Sequence, residues 1–362
     1  MSRNPIHSPI PGENIEARPA VTTLADADVL AVVSNPATTP VDSKITKANL
    51  LATLMLDAEL TGVGNLTTGA LNQVVVSSAT IVDVFLYDTS KDSDGGAWRE
   101  RCQHLSWYNE TLNDADRGAT QKFPALALCV LTTTTLTIYD ATDPALPMWM
   151  VFTRASGNLF AAWAAPTAGN VDAVNGELFL CVDGTSAGGI CRINFISDGA
   201  TSLNGANSNS ARIGRYLGTI ADRNSASGYS GEIITACADV RAFDGRLSVR
   251  PGAPISEATG LPVATLAVSS RTGASVVHPS GLVADLVDVA GDDAYDVLMT
   301  SDGDVVYGNA TQGNLDVFRP ESQFADNTTP DQLYDAATSP TLLAVPTTSK
   351  KGLVECRDKI IA

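Results

Sequence analysis

Residues 88–110, DTSKDSDGGAWRERCQHLSWYNE, gather several kinds of reactive side chain in one place. The whole chain has three histidines and four tryptophans, and His104, Trp98 and Trp107 all fall here. Asp88, Ser90, Asp92 and Asp94 alternate ahead of Gly95. Oxygen donors at every second residue before a glycine turn are what a calcium loop uses. A complete loop of the helix–loop–helix kind also needs a late bidentate glutamate. Arg99 and Arg101 cannot serve, and Glu100 is off register from a start at Asp88 or Ser90. The preferred reading is a solvated β-turn whose aspartates bond their own backbone. Calcium is kept only as the alternative at these four residues, and no other cofactor is expected.

Cys102 and His104 stand two apart and would share one face of a strand. Zinc would need further ligands, and His7 and His278 are remote in sequence, without supporting cysteine or carboxylate clusters. A Cys–His nucleophile pair is equally unsupported, because neighbours on a strand seldom aim a base at its nucleophile. Trp98, Arg99, Arg101, Trp107 and Tyr108 fit a platform for a glycan or a partner, or else a packed corner between a turn and a sheet. Asp83, Asp88, Asp140, Asp143 and Glu177 lie near expected strand ends, where the acid and base of a glycan-cleaving enzyme could sit. With 40 acidic residues some fall there by chance. No zinc-protease, phosphate-loop or dinucleotide motif occurs. No catalytic residue is assigned.

The elements that must position these groups are β-strands. Only 17% of the 362 residues are charged against 44% hydrophobic, with 29 Gly and 18 Pro, a texture that favours short strands and tight turns over helices. A formal net charge of -17, with 23 Lys and Arg nowhere concentrated, argues against a nucleic-acid partner. No run is long enough to span a membrane. The opening residues lack the apolar stretch after a basic segment that marks a secretory signal. The six cysteines are widely spaced, and free thiols are expected, although Cys181 and Cys191 flank a turn and could pair.

Residues 1–20 contain four prolines and read as an extended arm. Residues 21–61 form a small unit. It has a β-run at Val29–Val33, a turn carrying Pro36 and Pro40, a returning strand at Ile45 and Thr46, then helical spacing at Leu50, Leu51, Leu54 and Met55. So small a unit needs a partner for stability. Residues 62–73 read as a linker. From 74 to 362 the pattern is β, with hairpins at 125–140, 178–199, 264–281 and 298–309. Met148–Phe152 reads as a buried strand or an interface. Residues 200–230 read as a polar excursion with one short strand around Tyr216–Ile220. The expected fold is mainly β: a small N-terminal α/β module followed by a β-propeller-like body, complete or incomplete, with β-sandwich domains as the alternative.

Residues 24–54 resemble the short N-terminal module that precedes tail-fibre and other structural domains in tailed-bacteriophage virions. The resemblance rests on Asp26, Asp28, Leu30, Val32 and Val33, then on Lys44, Ile45, Thr46, Asn49 and Leu50. Residues 84–110 and 123–152 resemble uncharacterised structural proteins of marine phages. Together these cover less than a third of the chain. The resemblance implies a docking unit using Asp26, Asp28, Leu30, Val32, Ile45, Leu50 and Leu54, followed by a distal β-domain. A tail fibre or fibre adaptor is expected, a homotrimer in the virion tail made in the host cytoplasm, that contacts other tail or portal-vertex proteins and a host surface glycan. The alternatives are a tail-hub or nozzle protein without a receptor role, and a glycan-degrading fibre enzyme.

Overall fold

A computed structural model describes residues 33–34, 41–42, 81–154, 166–184, 188–205, 212–225, 242–286, 293–300, 302–309, 314–335, 354–356 and 359–361, with Leu159, Gly228 and Cys237. The chain divides into two compact units, Met1–Ala58 and Glu59–Ala362. In the first unit, β1 (Val33–Ser34) pairs antiparallel with β2 (Val41–Asp42), with Val33 opposite Asp42. The turn expected at Pro36 and Pro40 and the returning strand expected at Ile45 and Thr46 lie outside the described residues. The proposed docking residues Asp26, Asp28, Leu30, Val32, Ile45, Leu50 and Leu54 lie outside the described residues.

Among the described residues, the second unit contains four antiparallel meanders. The first comprises β3 (Ile81–Asp88), β4 (Leu126–Thr132), β5 (Thr135–Asp140) and β6 (Met148–Thr153). The second has five strands: β7 (Pro166–Val174), β8 (Glu177–Gly184), β9 (Gly188–Asn194), β10 (Gly199–Gly205) and β11 (Arg212–Arg215). The third runs β12 (Ala242–Ser248), β13 (Thr265–Ser270), β14 (Gly273–Val277), β15 (Val283–Leu286). The fourth runs β16 (Ala294–Met299), β17 (Val305–Asn309), β18 (Asn314–Phe318), β19 (Gln332–Asp335). A separate hairpin pairs β20 (Val354–Cys356) with β21 (Lys359–Ile361).

Local chemistry accounts for the hairpins. Between β7 and β8 the turn is Asn175-Gly176, both left-handed at φ 53° and 71°, the type I′ geometry that matches strand twist. Consecutive strands pair because their connections are short. The sheets meet mainly through their first strands, β3 on β7, β7 on β12 and β12 on β16. One large aromatic core lies beneath residues 87–123 and the first two sheets, and smaller cores fill the later junctions.

The mainly-β character is as the composition implies, but the expected β-propeller-like body is not found. Among the described residues the meanders are small and separate, none closes into a barrel or propeller, and no substantial packing brings β16 back onto β3. The sandwich alternative, which needs two broad faces opposed, gives way to this serial packing. Hairpin rhythm fixes how each meander is made; it carries no information on closure. Residues 200–230 also differ from the expected excursion. They supply β11 and most of β10, and Tyr216, Ile220 and Arg223 are buried. Cys181 and Cys191, on neighbouring strands, face different apolar clusters on opposite sides of their sheet, so they do not meet. Cys102, Cys129 and Cys237 are buried free thiols.

Candidate functional site

After β3 the chain leaves the sheet in short helical turns at Thr89–Lys91, Trp98–Arg101, Cys102–His104 and Trp107–Asn109. Cys102 and His104 therefore do not share a strand face: Cys102 is buried, while His104 is exposed. Burial pushes the Cys102 thiol up to about 12, so it is a protonated core group.

The four calcium candidates do not converge. Asp88 caps a turn, its Oδ1 accepting from Ser90 N at 3.0 Å and Ser90 Oγ at 2.7 Å. Asp94 pairs with Arg101 at 3.0 Å and accepts from Gly96 N. Asp92 turns inward, where its Oδ2 accepts from Tyr87 OH at 2.6 Å and Trp98 Nε1 at 2.7 Å, and its Oδ1 accepts from Asn175 N at 2.7 Å. Among the described residues no group of three or more His, Cys, Asp and Glu is arranged to hold a metal ion. Burial raises the Asp92 carboxyl above its ordinary range, against its three hydrogen bonds. It is the centre of a brace. Tyr87 OH accepts from Gly176 N, Asn175 Oδ1 accepts from Ser93 N, and Asn175 Nδ2 donates to the Pro262 carbonyl at 2.9 Å. The loop is thereby tied to the β7–β8 turn and to the segment before β13.

The aromatic platform is buried rather than presented. Trp98 and Trp107 are both 0% exposed. Trp107 meets Trp149 and Phe195 edge-on at 5.6 and 5.8 Å, and Phe123 packs against Trp98, Trp149 and Phe195. Tyr108 is half-buried against Trp107. Arg99 Nε donates to the Phe123 carbonyl at 2.7 Å, and exposed Arg101 pairs with Asp94. No flat aromatic face is offered here.

A buried ionic triad closes the other side of this core. Arg223 NH1 donates to Glu110 Oε1 at 2.7 Å, and Arg223 also donates to the carbonyls of Val151 and Asp116. Arg117 stacks on Trp149, 4.3 Å from the ring centre, and donates to the Trp149 and Gln121 carbonyls. Burial lowers the Arg117 guanidinium to about 10 despite Glu110, and burial raises Glu110 against the pull of Arg223 and Arg117. The glycan-acid candidates are likewise occupied: Asp83 accepts from Val171 N, Asp140 and Asp143 from neighbouring backbone amides, and Glu177 pairs with Arg192.

Sequence reasoning missed a third constellation. The first strand of each meander lies at a sheet edge and carries an aspartate within it: Asp83, Asp172, Asp244 and Asp296. Three reach across to an amide of the next first strand: Asp83 to Val171 N at 2.8 Å, Asp172 to Leu247 N at 2.8 Å, Asp244 to Val297 N at 3.3 Å. Edge strands have unpaired amides, and inward carboxylates satisfy them without strand pairing. The available signal was an apolar-Asp-apolar or small tripeptide at 82–84, 171–173, 243–245 and 295–297.

Comparison with known proteins adds little. No protein-family model matches the chain, and no curated protein matches it. Among solved structures, a protein of unknown function from Bacteroides caccae aligns at 9% identity and a TM-score of 0.32, over 64% of each chain. The chain thus spans under two thirds of that protein. Hsv2 of Kluyveromyces lactis aligns at 10% identity and a TM-score of 0.23, over 75% of this chain and 88% of that one. Likeness at this level carries no functional argument.

Proposed function

We propose that this chain is a non-enzymatic structural component of a tailed-phage virion, a tail fibre or fibre adaptor, whose β-body is a rigid scaffold for display. The observation that supports this most is the use of the reactive side chains in 88–123. Asp92, Trp98, Trp107, Glu110 and Arg117 are consumed in internal bonds that tie a loop to two sheets. Catalysis needs groups facing a substrate with unspent hydrogen-bonding capacity; these groups stiffen the body instead. Residues 21–61, with their resemblance to virion docking modules, would attach the chain to tail or portal-vertex proteins as a trimer. Loops between strands would face the host glycan.

The test separates this reading from its rivals. Full-length protein and a chain lacking residues 1–55 are each mixed with tail proteins and with purified host polysaccharide. The proposal expects copurification with tail proteins only when residues 1–55 are present, and polysaccharide retained at its original length. Released oligosaccharides would identify a depolymerase instead. Tail binding with no polysaccharide retention would identify a hub or nozzle role. Tail binding that survives the deletion would refute the docking assignment.

A further inference from the structure

The turn between β7 and β8 carries a chemical liability. Asn175-Gly176 forms it, with both residues left-handed at φ 53° and 71°. Asparagine is among the thermally labile side chains, and a following glycine leaves the next amide nitrogen unshielded by any Cβ. In an open chain that nitrogen attacks the asparagine Cγ. A Cγ–N bond forms, the Cγ–Nδ2 bond breaks, and ammonia departs with the amide proton. Water then opens the succinimide at either carbonyl. The product is aspartate or, with the main chain rerouted through Cγ, isoaspartate. Nothing is oxidised or reduced.

The folded chain holds the groups of that reaction apart from one another. Gly176 N donates to Tyr87 OH at 2.9 Å. The phenol donates in turn to Asp92 at 2.6 Å, and burial together with Asp92 holds it well above its ordinary range, so it stays protonated and takes no proton from the amide. The Asn175 amide is anchored at both ends. Its Oδ1 accepts from Ser93 N at 2.8 Å, and its Nδ2 donates to the Pro262 carbonyl at 2.9 Å. Asn175 N is fixed on Asp92 at 2.7 Å, and the residue is 5% exposed. An amide pinned in this way does not rotate onto the Gly176 nitrogen while the brace is closed.

We propose that Asn175-Gly176 is a deamidation site gated by the Asp92 brace, and that its conversion is a one-way record of brace opening. Opening frees the side-chain amide and the Gly176 nitrogen together, because Tyr87, Asp92 and Ser93 hold both. Where the brace opens and closes faster than the chemistry, the rate follows the open fraction. Modification then prevents return. Aspartate at 175 sets an acceptor against the Pro262 carbonyl in place of a donor, and a second carboxylate beside Asp92. Isoaspartate lengthens the main chain of a two-residue turn and disturbs the pairing of Val174 with Glu177.

The experiment is incubation of the full chain in mildly alkaline buffer at physiological temperature, then tryptic digestion and mass spectrometry of the peptide carrying Asn175. Arg192 places the chain's other Asn-Gly pair, Asn204-Gly205, in a different tryptic peptide. Folded wild type should keep Asn175, while urea-unfolded wild type gains the mass of amide-to-acid exchange. Tyr87→Phe keeps the ring and removes the partner of the Gly176 amide. It should convert at least about fivefold faster than folded wild type, the lower end for an orphaned buried donor. Asn175→Asp, the product itself, should unfold at a lower temperature than wild type. Folded protein that converts as fast as the unfolded chain, or a Tyr87→Phe rate equal to wild type, would overturn the gate. Wild-type stability in Asn175→Asp would overturn the one-way step. If Tyr87→Phe fails to fold, Asp92→Asn takes its place under the same expectation.

Discussion

At the scale of single residues, Asp92 and Glu110 carry the most consequence. Asp92 accepts from three donors. Asp92→Ala orphans all of them, each at about 1–3 kcal/mol, so chemical unfolding should show a loss of at least about 3 kcal/mol. Glu110→Ala leaves Arg117 and Arg223 buried without their acid. It should cost about 3–5 kcal/mol, whereas replacing the whole triad with apolar side chains of similar volume should cost far less. Equal losses for the two designs would show that packing, not charge, governs this corner. These residues were visible in the sequence as a suggestive cluster, but their direction was not. Alternating oxygen donors look the same whether they turn outward to an ion or, like Asp92, inward to Tyr87 and Trp98. Their partner Asn175 is 83 positions away, beyond the reach of local pattern.

At the scale of elements, the hairpins were the legible part. Alternation and turn residues marked β4–β5, β8–β9, β13–β14 and β16–β17. The Met148–Phe152 run became β6, with Trp149, Met150 and Phe152 buried. Residues 88–110 were harder, because their apolar groups are spaced for neither strand nor long helix and their shape is set by the aromatic core beneath. The aspartate row was hidden by its own commonness. The same tripeptide occurs at Leu315-Asp316-Val317 in β18, so only the edge position of each first strand distinguishes the four. Close approach between elements also gives glycines defined roles. A Cβ on Gly245 would run into the Phe179 ring, so Gly245→Ala should cost about 1–3 kcal/mol as an overpacked junction. Gly176 needs φ 71°, and a Cβ there would lie 2.8 Å from Ile196. Gly176→Ala should lower the unfolding midpoint and loosen the Tyr87 bond, which hydrogen exchange at the Gly176 amide would register.

At the scale of the molecule, composition correctly indicated a β-rich chain and could not indicate how its sheets assemble. Closure depends on whether the last meander meets the first, and no local periodicity encodes that contact. The sheets instead pack in series through edge strands, three of them bridged by carboxylate–amide bonds. That suits a scaffold that holds a surface in place for a partner. The most direct test of the structural-virion reading is immunogold electron microscopy of purified particles, using antibody raised against residues 81–335. Gold on the tail of intact particles is the expected result. Particles free of gold, with all of the protein recovered from the soluble lysate, would contradict it.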